Sequence, residues 1–204
     1  RLASTALVIS VHPSLPARTL KQLVALARAR PGELTYATAS IIGGQRIAGE
    51  MFKDAARIDI VNVPYGGGAP ATMAVIGGHT TMLVANVAEV APHVASGKLR
   101  ALAVTSLARS GVLKDVPTVA ESGFPGFDST NWFGAVARAA TPKNAIDRLS
   151  AEIARGLRLP EVNDALSRLG LSAAAMSPGE FDAFLRAEME RNGKIIRALN
   201  LKVD

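Results

Sequence analysis

Two hydrophobic rhythms alternate along the chain as far as about residue 105. The segment 6–11 reads as a buried strand, 81–85 as an apolar strand, and 34–38, 59–63 and 99–105 as further short strands. Between them the apolar positions fall at helical spacing. Leu20, Leu23, Val24 and Ala27 stand at i, i+3, i+4 and i+7, with Thr19 placed to cap and Gln22 at the capping-box position. Pro31 and Gly32 stop that helix. Further helices are expected over 45–56, 69–76 and 87–94. A regular β-α alternation implies an α/β fold with a mostly parallel sheet and helices on its faces.

The pattern then changes. Residues 106–127 are rich in Pro, Gly and Ser, with one short helix expected at 118–122 and a strand at 131–137. Thr141 and Pro142 read as a cap and first-turn proline ahead of a helix with Ile146, Leu149 and Ile153 on one face. Pro160 restarts a short helix ending at Gly170. Ser177 and Glu180 frame a capping box that opens a long helix to about Leu199. Its expected buried face is Phe181, Phe184, Leu185, Ile195, Ile196 and Leu199.

Two strand-to-helix junctions stand out because both are glycine-rich. One carries Thr38, Ala39, Ser40, Gly43 and Gly44; the other carries Tyr65, Gly66, Gly67 and Gly68. The start of a helix leaves backbone N–H groups without partners and adds partial positive charge. Such an end holds a carboxylate or phosphate with no charged side chain. Glycines also make tight βα turns with no ligand in view, and that reading stays open for each turn alone. Thr38, Tyr65 and Asn86 all fall at the carboxyl ends of expected strands, where open α/β sheets collect ligands.

Composition narrows the functional classes. The 204 residues are 49% hydrophobic and 20% charged, enough for a packed core of one large domain or two lobes. Aromatics make up 4%, so the core is aliphatic. The absence of cysteine excludes disulfides, thiol catalysis and cysteine-based zinc sites. No apolar run has the length of a membrane span. The start at Arg1 lacks the charged-then-apolar pattern of a secretory signal, as expected of a processed chain or a fragment. The net charge of +6 is spread among acids, as in 186–191, and no basic cluster carries interleaved aromatics. That argues against nucleic acid and for a diffuse field that attracts small anions.

Catalytic chemistry is not supplied. There is no nucleophile elbow and no phosphate-loop lysine, and His12, His79 and His93 lack metal-ligand spacing. Glu50 and Glu121 are conceivable acids, but a solvated helix face is the default for Glu50. No catalytic residue, metal or cofactor is expected. What remains suits binding: Thr38, Ala39, Ser40, Gly43, Gly44, Tyr65, Gly66, Gly67 and Asn86 as uncharged contacts. Trp132 either closes over a ligand or packs in a core.

An ordered set of segments resembles the receptors of tripartite tricarboxylate transporters, the Bug family of periplasmic solute-binding proteins. The segments are 12–16, 36–39, 48–52, Val63-Pro64-Tyr65 with Gly67 and Ala69-Pro70-Ala71, 97–106, 115–123, Trp132-Phe133-Gly134 and 193–197. The resemblance implies a two-lobed, non-enzymatic binding protein of the periplasmic type II, or Venus-flytrap, class. It implies capture of a di- or tricarboxylate, amino acid or aromatic acid, often through water-bridged backbone amides, and delivery to membrane transporter subunits. By resemblance, residues 6–126 form lobe two and 127–204 the returning part of lobe one. Relatives carry a longer N-terminal part, so the resemblance implies either self-association through the incomplete lobe or a chain that is part of a longer protein. The chain departs from the family at Gly66, where a Lys is usual, and at Ala85, where an Asp is common. Both changes point to a more apolar pocket. The competing expectation is the effector domain of a LysR-type regulator, which shares the two-lobed architecture.

Overall fold

The computed structural model describes residues 1–198. The described chain divides into two compact units, one of residues 6–131 and one of Arg1–Thr5 with residues 132–198.

In the first of these, the expected alternation is present element by element. The strands are β1 (Ala3–Val11, of which residues from Ala6 belong here), β2 (Thr35–Thr38), β3 (Val61–Pro64), β4 (Met82–Asn86) and β5 (Arg100–Val104). The helices are α1 (Leu20–Ala29), α2 (Gly44–Ala56), α3 (Gly68–Ile76) and α4 (Val87–Ala95). The strand order is β3-β2-β4-β1-β5. β2 lies parallel to β3 and β4, whereas β1 runs antiparallel to both β4 and β5. The expectation of a mostly parallel sheet therefore needs correcting to a mixed sheet with a reversed central strand. An apolar run buried on both faces reads the same in either direction, so periodicity could not reveal the reversal.

Alternation along β1 divides the core. Leu7, Ile9 and Val11 join Tyr36, Phe52, Leu20 and Leu23 on one face, while Val8 joins Ala37, Leu83, Val87 and Val90 on the other. The short helix expected at 118–122 is a single turn: Ser122 N–H donates to Thr118 O at 3.1 Å. Its capping box nevertheless forms, with Glu121 accepting from Thr118 N–H and Thr118 Oγ1 accepting from Glu121 N–H. Gly123 at φ +110 then turns the chain out of the helical path.

The second unit contains α5 (Lys143–Leu157), α6 (Pro160–Arg168), β7 (Leu171–Ala173) and α7 (Pro178–Ala198). Ala3, Ser4 and Thr5 pair antiparallel with β7. β6 is shorter than the expected 131–137, covering Thr130–Phe133. Leu2 N–H donates to Phe133 O at 2.8 Å. Pro142, not Thr141, occupies the cap of α5, so that helix begins with no side-chain cap. Ser177 and Glu180 form the expected capping box of α7.

The apolar faces of these helices are largely uncovered. Neither α5 nor α6 has a buried residue, and in α7 only Phe181 is buried; Phe184, Leu185, Ile195 and Ile196 are half-buried. Leu199 lies outside the described residues. An apolar hollow of about 450 Å³ lies among Val136, Ile146, Leu149, Ile153, Met176 and Leu185.

Candidate functional site

Because β3, β2 and β4 are neighbours running in one direction, their carboxyl ends share one edge. Helix α2 follows β2 after the first glycine turn, α3 follows β3 after the second, and α4 follows β4 directly. Their cap residues are Gly43, Gly67 and Asn86, and none supplies a side-chain cap bond. By contrast, Thr19 caps α1 through Gln22 N–H. Helices α5 and α6 also start without side-chain caps, so a bare start alone does not mark a site. What distinguishes α2, α3 and α4 is their convergence on one polar network. First-turn N–H groups of these helices have no intrahelical acceptor and offer hydrogen bonds to an anion.

The first turn is braced from within. Thr38 is fully buried; its hydroxyl donates to Ser40 O at 3.1 Å and accepts from Asn62 Nδ2 at 3.0 Å. Ala39 N–H donates to Gln45 Oε1 at 2.8 Å, and Ser40 Oγ donates to Ile42 O at 2.7 Å. These groups therefore shape the turn. Gly43 is half-buried and Gly44 exposed. Tyr65 N–H donates to Thr38 O at 2.9 Å, tying the second turn to the first. The Tyr65 ring packs on the core of the β4 and α4 face. Gly67 has φ +143, a conformation that side-chain-bearing residues rarely adopt.

A chain of amides and one carboxylate links these helix starts. Asn131 stands so close to Gly44 that a Cβ there would lie 1.8 Å from Asn131 Oδ1. Asn131 Nδ2 donates to Asn86 Oδ1 at 2.9 Å, and Asn86 Nδ2 donates to Glu89 Oε1 at 2.6 Å. Glu89 in turn abuts Gly68, where a Cβ would lie 2.5 Å from Oε2. An Asn amide has two donors and two lone pairs, so Asn86 keeps one of each uncommitted.

Thr38, Ala39, Ser40, Gly43, Gly44, Tyr65, Gly66, Gly67 and Asn86 all lie along this edge. Trp132 belongs to the other compact unit. Its ring makes edge contacts with Phe181 and Phe184, and Nε1 donates to Glu188 Oε2 at 3.1 Å. Its hydrogen-bonding capacity is thus spent on packing inside that unit. Sequence reasoning missed Gln45, Asn62, Glu89 and Asn131. Glu89 was visible only as an acid in the first turn of α4, and Asn131 only as the first residue of the strand expected at 131–137.

Beneath the edge, Glu50 is buried rather than solvated, which corrects the default reading of that helix face. It accepts from Tyr36 Oη at 2.7 Å and pairs with Arg46 at 3.0 Å. Burial, then the hydrogen bond to Glu50, push the Tyr36 phenol far above its ordinary range. The pair anchors α2 to β2 and offers no nucleophile. Among the described residues, no His, Cys, Asp and Glu group could hold a metal ion. No helix there is long and apolar enough to cross a membrane.

Comparison with known proteins adds the following. The family model described as tripartite tricarboxylate transporter family receptor matches residues 1–201. BugT of Bordetella pertussis is 31% identical over 197 residues, covering 97% of this chain and 60% of BugT. R. palustris Rpa4515, solved with adipate, superimposes with a TM-score of 0.91 at 30% identity, covering 96% of this chain and 66% of that one. A structure described as a periplasmic transporter gives 0.91 at 32% identity, covering 100% of this chain and 68% of that one. The chain thus spans about two thirds or less of the length of these relatives.

Proposed function

Because the chain belongs to the tripartite tricarboxylate transporter receptor family, we propose that it captures a small carboxylate outside the cytoplasm and hands it to the transporter's membrane subunits. The family is one of receptors, not enzymes. The observation that carries the reading is the convergence of α2, α3 and α4, whose cap residues leave the helix starts open, on the Asn131–Asn86–Glu89 network. A carboxylate bound there takes N–H groups from the α2 start and the spare Asn86 amide hydrogen. It gains the helix dipoles without pairing with a buried cation. Thr38, Ala39 and Ser40 keep the first turn in shape, and Gly66 and Gly67 let the second approach closely. The same reading assigns residues 6–126 to one lobe and 127–204 to part of the other.

The periplasm is the compartment this reading assigns, in keeping with the periplasmic transporter that the chain matches at 32% identity. The effector-domain alternative has no observation in its favour. Self-association belongs to the same reading: the uncovered faces of α5 and α7 give a second copy an apolar surface to bury.

Isothermal titration calorimetry with linear and branched carboxylates tests the function. Adipate, present in the R. palustris relative, is the first probe. Reversible binding is expected, with Asn86→Ala weakening it about tenfold or more, as loss of a hydrogen bond to a charged group does. Failure of every acid to bind, or full affinity in Asn86→Ala, overturns the assignment.

A further inference from the structure

The Glu89 carboxylate is held at one end only. Oε1 accepts from Asn86, but Oε2 is buried with no hydrogen-bond partner among the described residues. That oxygen points at the start of α3, where Gly68 has no side chain to obstruct it. A buried carboxylate oxygen without a donor is costly. The dipoles of α3 and α4 offset the charge, Glu89 itself being in the first turn of α4. They do not supply a directed bond to Oε2.

The charge sits in the network proposed to hold a ligand, and that placement has a consequence for selectivity. A second ligand carboxylate brought beside Glu89 meets a like charge in a partly desolvated setting. An ammonium meets an opposite charge and an unfilled acceptor. The start of α2 at Gly43 and Gly44, linked to Glu89 through Asn131 and Asn86, carries no such acid in its first turn. The two ends of the site therefore differ in sign.

Resting on the carboxylate-receptor reading above, we propose that Glu89 is a specificity-determining residue. It selects an acid whose far end carries an ammonium over one whose far end carries a second carboxylate. The ligand carboxylate lies at the α2 start and its ammonium donates to Glu89 Oε2.

Matched probe pairs test this by calorimetry: succinate with γ-aminobutyrate, glutarate with δ-aminovalerate, and adipate with ε-aminocaproate. Each pair differs only in replacing a terminal carboxylate by an aminomethyl group. In the pair that binds best, the amino acid is expected to bind about tenfold or more tightly than the diacid, the scale of one charge-assisted bond. Glu89→Gln keeps an acceptor for Asn86 and is expected to abolish or reverse the preference. Should that variant fail to fold, the ratio measured on the unaltered protein decides the question. Diacids binding as tightly as their amino partners, or a preference unchanged by Glu89→Gln, overturn the proposal while leaving a carboxylate receptor, with Glu89 only bracing the start of α3. Absence of binding by both members of every pair, in both proteins, overturns the receptor reading and this proposal with it.

Discussion

At the scale of single residues, the hydroxyls and carboxyls along the site edge divide into braces and uncommitted groups. Thr38 is a brace: burial and two hydrogen bonds commit its hydroxyl to the turn. Thr38→Val leaves Asn62 Nδ2 only the longer bond to Tyr36 O, removes the donor to Ser40 O, and is expected to cost about 1–3 kcal/mol in urea unfolding. Tyr65→Phe, on a half-buried ring, is expected to stay within about 0.5 kcal/mol of the unaltered protein in the same measurement. Gly49 makes the sharpest packing prediction. A Cβ there would lie 2.4 Å from Tyr36 Cε2, inside a fully buried ring. Gly49→Ala is expected to lose about 1–3 kcal/mol, the usual cost of overpacking a core. Unchanged urea stability in that variant would contradict the packing described.

At the scale of elements, periodicity made most strands and helices of residues 6–131 legible in advance. The glycine turns were legible too, because the backbone itself carries their chemistry. Glu89 and Asn131 were not, since their meaning depends on contacts between segments far apart in sequence: Asn131 reaches Asn86 and Glu89 reaches Gly68. Strand β7 was missed because three residues are too few to show a period. The turn at 118–122 has the sequence of a helix start but no helix behind it, since Gly123 leaves the helical path. The capping box of α7 gives a prediction at this scale. The Ser177 hydroxyl and then its N–H hold the Glu180 carboxyl below its ordinary range. Its contribution is complete above the unfolded-state pKa and is lost as pH falls through the lowered folded value. An NMR titration of that carboxyl should find the lowered midpoint, with amide exchange at the start of α7 rising through it. Glu180→Gln should remove the coupled exchange, and a midpoint in the ordinary glutamate range would refute the assignment.

At the scale of the whole molecule, apolar burial is unequal between the two units. Among the described residues, every buried apolar residue apart from Ala3 and Phe181 lies within residues 6–131. Local stability follows buried contacts, so hydrogen exchange is expected to be slow in β1, β2 and β4 from Leu7 onward and fast in α5 and α6. Sedimentation velocity is expected to show concentration-dependent association through the exposed apolar faces of α5 and α7. A strict monomer whose α5 is as protected as β4 would contradict both expectations. The packing of Trp132 has an optical consequence. It is the only tryptophan, and it lies with Phe181 and Phe184 in the sparsely buried unit, whereas the two tyrosines, Tyr36 and Tyr65, both lie in the densely buried one. Emission excited at the red edge of the absorption band therefore comes from one unit, and tyrosine absorbance changes come from the other. Followed in both signals, a denaturant titration becomes a two-colour record, with the indole reddening before the phenols shift if the units unfold separately and the traces coinciding if they unfold as one.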